Sequence, residues 1–383
     1  MANTFLTPSR IISGSAALKE AGTYIANSGK KALVVTDAMM VKLGNIAKLE
    51  EVLKENKVDY VIYPEINSEP NDLMIMGGVK AYKENGCDFL IALGGGSPID
   101  SAKAIGMMST TDAEISSFMG KIIDVTMPKI IAIPTTAGTG SEATKFTIIN
   151  DTKTQVKMLL TGPCLIPSLA IIDPQFTMTA PKSVTVATGI DALCHATESY
   201  TSRKAQPLSD TFALSAIKRI FNNLKTCAYD PTNEAARIQM SLAATEAGIA
   251  FNNSSVTIVH GMSRPIGAIF HIAHGLSNAV LLEACMNKVK DPIKDKFADI
   301  ARYVGMTTSE DDAVAAKVFL DNLHQLLIDL EVPTMKDIIK DPELYKSSVK
   351  KMAHDAAVSG SPANTIYPIT EEEMVAIYLQ LID

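Results

Sequence analysis

Five residues within one span of the sequence, Asp191, His195, His260, His271 and His274, are of the types that bind divalent cations. The chain has only six histidines, and four of them fall here. Asp191 and His195 are four apart in a segment that reads as helix, so both leave one face about a turn apart. A carboxylate with neutral imidazoles is a borderline-hard set suited to Fe, Zn, Mn or Co. With no thiolate in it, the set does not resemble a cysteine-type structural zinc site. A lone histidine on an apolar helix is ordinarily a packed core residue, so the weight rests on the clustering.

Two polar turns could hold phosphate. In DFLIALGGGSPIDSAKAIG a strand runs into Gly94, Gly95 and Gly96, then Ser97 and Pro98 open a helix whose first turn adds Asp100 to the candidate cofactor contacts. Glycines let backbone N–H groups approach an anion, and the helix N-terminus adds its positive dipole end. The stretch is neither GxGxxG nor a Walker loop, so neither fingerprint applies. The second turn, IIAIPTTAGTGSEAT, places Thr135, Thr136, Thr139 and Ser141 after another buried strand. Asp37 closes ALVVTD; there it could accept from ribose hydroxyls and repel a 2′-phosphate, which would favour NAD over NADP, or it could cap a helix.

These residues need a scaffold, and the pattern of apolar runs predicts one. ALVVT (32–36), YVIYP (60–64), DFLIAL (88–93), IIAIP (130–134) and LAIID (169–173) read as buried parallel strands. Helical patterns at 45–56, 71–86 and 98–108 alternate with the first four, which implies a mostly parallel sheet with helices on both faces. TFLTPSRIISG adds a short edge strand or hairpin. Beyond about residue 185 the strands stop, and helices are expected at 185–203, 207–224, 233–251, 276–287, 293–303, 309–330, 343–357 and 370–381. Two domains result: a Rossmann-like dinucleotide-binding α/β domain over 1–183 and an all-α metal-binding catalytic domain over 184–383.

Composition narrows the partners. At 383 residues with 47% hydrophobic and 20% charged residues, the chain has the make-up of a globular protein with sizeable cores. A net charge of −7, few aromatics and no tryptophan argue against nucleic acid and anionic membrane as partners. Five scattered cysteines without CxxC spacing suit a reducing cytoplasm. The start MANTFLTPSR has no signal-peptide pattern, and the longest uncharged run, 265–282, is too polar for a membrane helix.

The stretches ALGGGSPIDSAKAIG (92–106), IPTTAGTGSEAT (133–144), AIIDP (170–174), ATGIDALCHATESY (187–200) and HGMSRPIGAIFHIAHGLSNAVLL (260–282) together resemble the iron-containing (group III) alcohol dehydrogenases over nearly the whole chain. The resemblance implies a dehydroquinate-synthase-like fold in which the two domains enclose NAD(P) and one divalent metal, Fe(II) favoured and Zn(II) possible. It implies metal ligation by Asp191, His195, His260 and His274, pyrophosphate on Gly94 to Ser97, and TTAGTGS beside the nicotinamide. It also implies a cofactor approach by Lys157 and at least a homodimer. The sequence departs from the family pattern twice: Arg264 stands where many members have a second histidine four after the third ligand, and Glu69-Pro70-Asn71 replaces Asn-Pro-Thr.

The expected chemistry is reversible hydride transfer between nicotinamide and a short aldehyde or primary alcohol, with the metal as Lewis acid. Arg264, one turn beyond His260, could clamp an acid group on the substrate or could pair with Glu198 or Glu246. His271, three before His274, could share its helical face and relay a proton, or be a hydrogen-bonded residue of the cleft wall. A metal-dependent hydrolase or lyase leaves the two turns unexplained; a nucleotide-binding module leaves the histidines unexplained.

Overall fold

The apolar runs do form strands, and the computed structural model, which describes residues 2–154 and 156–382, arranges them in one sheet. The chain divides into two compact units, Leu6–Ala180 and Pro181–Asp383, the latter together with Met1–Phe5. Phe5 stacks on Phe212 at 5.8 Å and Gln206 Nε2 donates to the Thr4 carbonyl, which ties that first segment to the helical unit.

In the first unit the strands are β1 (Arg10–Ser13), β2 (Lys31–Val35), β3 (Asp59–Tyr63), β4 (Phe89–Gly94), β5 (Ile130–Pro134), β6 (Phe146–Asn150), β7 (Lys157–Thr161) and β8 (Leu169–Ile172). Six make a sheet of order β1-β8-β5-β4-β2-β3, parallel throughout. Successive side chains of a strand face opposite sides. On one side Leu33, Val35, Leu90 and Ala92 pack with Ile99 and Ile105; on the other Val34, Ile91, Leu93, Ile131 and Ile171 pack with Leu49, Leu53 and Phe176. Both faces are covered, which is why these strands read as continuous apolar runs. The helices that cover them include α1 (Asn45–Glu55), α2 (Asp72–Glu84) and α3 (Gly96–Met108).

The strand order reverses between β2 and β4: β3 lies on one side of that pair, and β5 on the other. Ligands of open α/β sheets bind at the carboxyl ends of strands at such a switch point. Asp37, Gly94–Gly96 and Thr135–Thr136 follow the carboxyl ends of β2, β4 and β5, three adjacent strands.

The antiparallel hairpin β6–β7 was not expected. Its residues alternate inward and outward, and Ile149, Met158 and Leu160 join the core against α3. Each strand is only five residues long, and the sequence between them, DTKTQV, is mostly polar, so no long apolar run marks the hairpin.

From Lys182 onward the regular elements among the described residues are helical: α4 (Lys182–Tyr200), α5 (Pro207–Tyr229), α6 (Glu234–Asn253), α7 (Ile258–Phe270), α8 (His274–Val289), α9 (Lys294–Val304), α10 (Asp312–Asp329), α11 (Pro342–Val358) and α12 (Glu371–Gln380), with a short turn of helix at Met335–Ile338. No helix among the described residues is long and apolar enough to cross a membrane.

Candidate metal centre and nucleotide turns

Helix α4 is buried on every side from Gly189 to Tyr200. Polar side chains inside such a helix must find partners within the protein. Asp191, His195 and Glu198 follow the i, i+4, i+7 spacing of one helical face, and all three are buried. His260 enters from the first turn of α7, and His274 is the first residue of α8. Gly275 lets α8 come this close, because a Cβ there would lie 2.6 Å from the Ala187 carbonyl oxygen of α4.

The ligand atoms of Asp191, His195 and His260 lie within 4.8 Å of one another. His195 Nδ1 is 4.0 Å from Asp191 Oδ2, and His260 Nε2 is 3.6 Å from Asp191 Oδ1. His274 Nε2 is 3.8 Å from the same oxygen, and its side chain keeps 41% of its surface exposed. Four ligands of a tetrahedral ion, each at about 2.1 Å, stand roughly 3.4 Å apart, so the cluster fits a metal after small adjustments. Phe251 stacks on the His195 ring at 4.3 Å and fixes its plane.

A second feature supports the fit. The Asn278 amide nitrogen donates to Asp191 Oδ1 at 2.6 Å and lies 3.2 Å from both His260 Nε2 and His274 Nε2. One amide nitrogen, with two hydrogens to give, faces a carboxylate oxygen and two ring nitrogens at once, an arrangement that a cation satisfies better. Burial works against charge on both Asp191 and His260, but their neighbours outweigh it. The three histidines hold the Asp191 carboxyl well below its usual range. Glu198 and Asp191 hold the His260 ring up at about 9.

Glu198 and Asn278 belong to the site as well, although the sequence alone marks neither as a ligand. The signal was present in the spacing: Glu198 is seven after Asp191 on α4, and Asn278 is four after His274 on α8.

The other two candidates in this unit come out differently. Helix α7 ends at Phe270, and His271 adopts the left-handed conformation (φ 55°) with an exposed side chain. His271 and His274 therefore share no helical face, and the geometric ground for linking them in a relay is absent. Arg264 does lie on α7 one turn after His260, partly buried, without a hydrogen bond or ion pair among the described residues. Burial lowers its pKa, against the opposing field of Glu198. Neither acid considered as its partner is open to it: Glu246 is held by Arg219 at 3.0 Å, and Glu198 is engaged at both oxygens around His260.

In the sheet unit, helix α3 begins at Gly96, with Gly95 as its N-cap, so Ser97 and Pro98 sit inside the first turn. The glycines serve different ends. A Cβ on Gly94 would meet the Pro98 ring at 2.4 Å, and one on Gly96 would meet Thr139 at 3.0 Å; both are demanded by the protein's own packing. Gly95 has only ordinary contacts, with Thr136 at 3.5 Å, and is the one free to face a ligand. Asp37 Oδ1 accepts from Met40 N at 3.0 Å and caps the short helix Ala38–Lys42, which leaves Oδ2 for a second partner.

Asp100 and Ser141, both expected to touch cofactor, bind each other at 2.5 Å; the second Asp100 oxygen accepts from Ile148 N. They clamp α3 to the hairpin and to the loop after β5, which carries Thr135, Thr136 and Thr139. Lys157, exposed at the start of β7, pairs with Glu69 at 2.7 Å, so the departure at residue 69 supplies its partner.

Beneath this clamp lies Lys103, fully buried, donating to Thr144 Oγ1 at 3.0 Å and the Phe146 carbonyl at 2.7 Å. Burial pushes its pKa down to about 8 despite Asp100 and Glu142. The unfolded chain keeps this proton up to about 10.5, whereas the folded chain releases it near 8, so the folded state gains stability as pH rises through that window. The stability of wild type minus that of Lys103→Met should therefore rise by about 3 kcal/mol between pH 8 and 10.5. A difference that stays flat in denaturant titrations contradicts this.

Comparison with known proteins agrees in both units. The family described as iron-containing alcohol dehydrogenase matches residues 8–174, and the C-terminal region of the Fe-containing alcohol dehydrogenase family matches 185–382. The choline dehydrogenase of Bacillus subtilis (strain 168) is 35% identical over 366 residues, covering 94% of this chain and 91% of that protein. A crystal structure of 1,3-propanediol oxidoreductase superposes with a TM-score of 0.95 at 32% identity, covering all of both chains. Sulfoacetaldehyde reductase from Bifidobacterium kashiwanohense in complex with NAD+ gives 0.90 at 27% identity, covering 100% of this chain and 99% of that one.

Proposed function

We propose, from the premise that this chain belongs to the iron-containing alcohol dehydrogenase family, that it interconverts a short aldehyde bearing an acid group and its primary alcohol with NAD(H). The coarser activity follows from membership: the protein is a metal-dependent oxidoreductase acting on CH–OH groups. The observation that carries the reading is the convergence of buried Asp191, His195 and His260, with His274 beside them at the solvent-open edge. A divalent ion held by these four, Fe(II) by family and Zn(II) by ligand type, would supply Lewis acidity to the substrate oxygen. A nicotinamide on the Gly95 and Thr135–Thr139 turns would supply or accept the hydride.

The chain's own residues prepare that chemistry. Asn278 holds one oxygen of Asp191, and Phe251 fixes the His195 ring. Arg264 bears on the substrate class. The three relatives named above carry choline, propanediol and sulfoacetaldehyde in their names, a cation, a neutral diol and an anion, so family membership leaves substrate charge open. An unpaired guanidinium one turn from a ligand favours the anion, which it can grip with two parallel hydrogen bonds. NADH oxidation by the Fe(II)- or Zn(II)-loaded protein with a panel of short aldehydes tests the reading. Hydrolysis without NADH consumption would replace it with a hydrolase, and NADH binding without turnover would leave a binding module.

Asp37 bears on the cofactor. Its free oxygen at the end of β2 favours ribose hydroxyls and repels a 2′-phosphate, so kcat/KM should be higher with NADH than with NADPH. Asp37→Gly should narrow or reverse that ratio, while the lost cap costs only a few tenths of a kcal/mol because glycine also caps. A wild-type enzyme faster with NADPH rejects this role.

A further inference from the structure

Among the polar groups buried around the candidate metal centre, Glu198 is engaged by five donors, and it is not itself one of the ligands. Its carboxylate has no exposed surface. Oε1 accepts from Thr257 N at 3.0 Å, Thr257 Oγ1 at 2.9 Å, Val259 N at 2.7 Å and His260 N at 3.3 Å; Oε2 faces His260 Nδ1 within hydrogen-bonding distance. The first turn of a helix leaves N–H groups without intrahelical partners, and Thr257, the N-cap of α7, makes no side-chain cap of its own. Glu198 therefore caps α7 from α4, and with the same carboxylate it grips the histidine in that first turn.

We propose that Glu198 is a positioning residue that fixes which nitrogen of His260 is offered to the metal, and thereby the affinity of the whole cluster for an ion. This rests on the reading of Asp191, His195, His260 and His274 as ligands. An oxygen met by four donor hydrogens belongs to an ionised carboxylate, which can only accept. With a cation bound, the one hydrogen of the His260 ring must then sit on Nδ1 toward Glu198, and Nε2, 3.6 Å from Asp191 Oδ1, presents its lone pair to the cation. A ligating imidazole is held in one tautomer by whatever its other nitrogen donates to.

Glutamine at this position separates the two duties of the carboxylate. The three backbone N–H groups and the Thr257 hydroxyl require an oxygen at the Oε1 position, so the amide NH2 must take the other place, against Nδ1. Turning the amide over would set its NH2 against those four donors. With NH2 facing it, Nδ1 becomes the acceptor, the ring hydrogen moves to Nε2, and Nε2 can no longer ligate in that tautomer. The cap on α7 survives in weaker form, while His260 can ligate through Nε2 only by setting Nδ1–H against the amide NH2.

The test uses metal-free wild type, Glu198→Gln and Thr257→Val, each titrated with Zn(II) in competition with a chelating dye, alongside thermal melts of the metal-free forms. Glu198→Gln should melt somewhat lower, because a neutral oxygen caps α7 less strongly than a carboxylate, and bind Zn(II) about 10- to 100-fold more weakly. Thr257→Val removes one cap bond without touching Nδ1, so it should melt lower and bind as wild type does. Equal Zn(II) affinity in wild type and Glu198→Gln overturns the proposal. A wild type that binds no ion overturns the ligand reading itself, and the proposal with it. Should Glu198→Gln fail to fold, nitrogen-resolved NMR of Zn(II)-loaded wild type decides: a protonated Nδ1 on His260 supports the proposal, and coordination through Nδ1 refutes it.

Discussion

His260→Ala should release the bound ion and lower kcat on the order of 10³-fold or more, the largest effect expected of any single substitution in this chain. Lewis-acid stabilisation of a developing alkoxide contributes several kcal/mol to the barrier, and each 1.4 kcal/mol or so is a factor of ten. His260 sits at the middle of the cluster: its Nε2 approaches Asp191, and its ring lies 4.3 Å from that of His195 and 5.3 Å from that of His274. Truncation also leaves Glu198 Oε2 without a partner in a buried site, at a stability cost of about 1–3 kcal/mol or more. Metal analysis and a thermal melt on the same preparation separate the two consequences. A folded variant with stoichiometric metal and normal turnover would remove His260 from the ligand set.

Arg264→Ala should be selective. If the guanidinium grips a carboxylate or sulfonate on the substrate, its loss should cost charged aldehydes about 2–5 kcal/mol in kcat/KM, while an uncharged aldehyde of similar length is spared. The position supports this, since Arg264 shares α7 with His260 and neither nearby acid reaches it. Equal losses on charged and uncharged aldehydes would make Arg264 part of the scaffold, and the substrate a plain short-chain alcohol.

Much of this arrangement was legible before the structure. The five long strands were, because a sheet covered on both faces must be apolar at every position, and Ile130–Pro134 falls on the expected residues. So was the crowding of histidines after Asp191. What escaped depended on tertiary partners. Glu198 looks like any charged residue of a helix until the first turn of α7, some sixty residues later, is laid against it. The length of α7 was hidden by Pro265, which the structure accommodates inside the helix. The break after Phe270 is hidden as well, because a residue other than glycine seldom takes the left-handed conformation that His271 adopts. Asp100 and Ser141 have a structural duty that the sequence does not show: polar residues beside a glycine turn look like ligand contacts whether or not they also bind each other.

The pairing of β1 with β8 sets an order of events at birth. Arg10 and Leu169 are aligned in the sheet although about 160 residues separate them in the chain. At about 5–20 residues per second, a nascent β1 waits roughly 8–30 s for its partner to be made. Strands β2 to β5 are complete well before that and can assemble among themselves, because β1 and β8 add at one edge and interrupt nothing. From the completion of β5 until β8 follows about 35 residues later, roughly 2–7 s, the exposed flank is β5, an apolar strand with open backbone groups, the kind of edge that invites pairing with a neighbouring chain. The last strand laid down, locked by Leu18 N on Asp173 at 3.0 Å, is therefore also the one that ends the protein's most vulnerable interval.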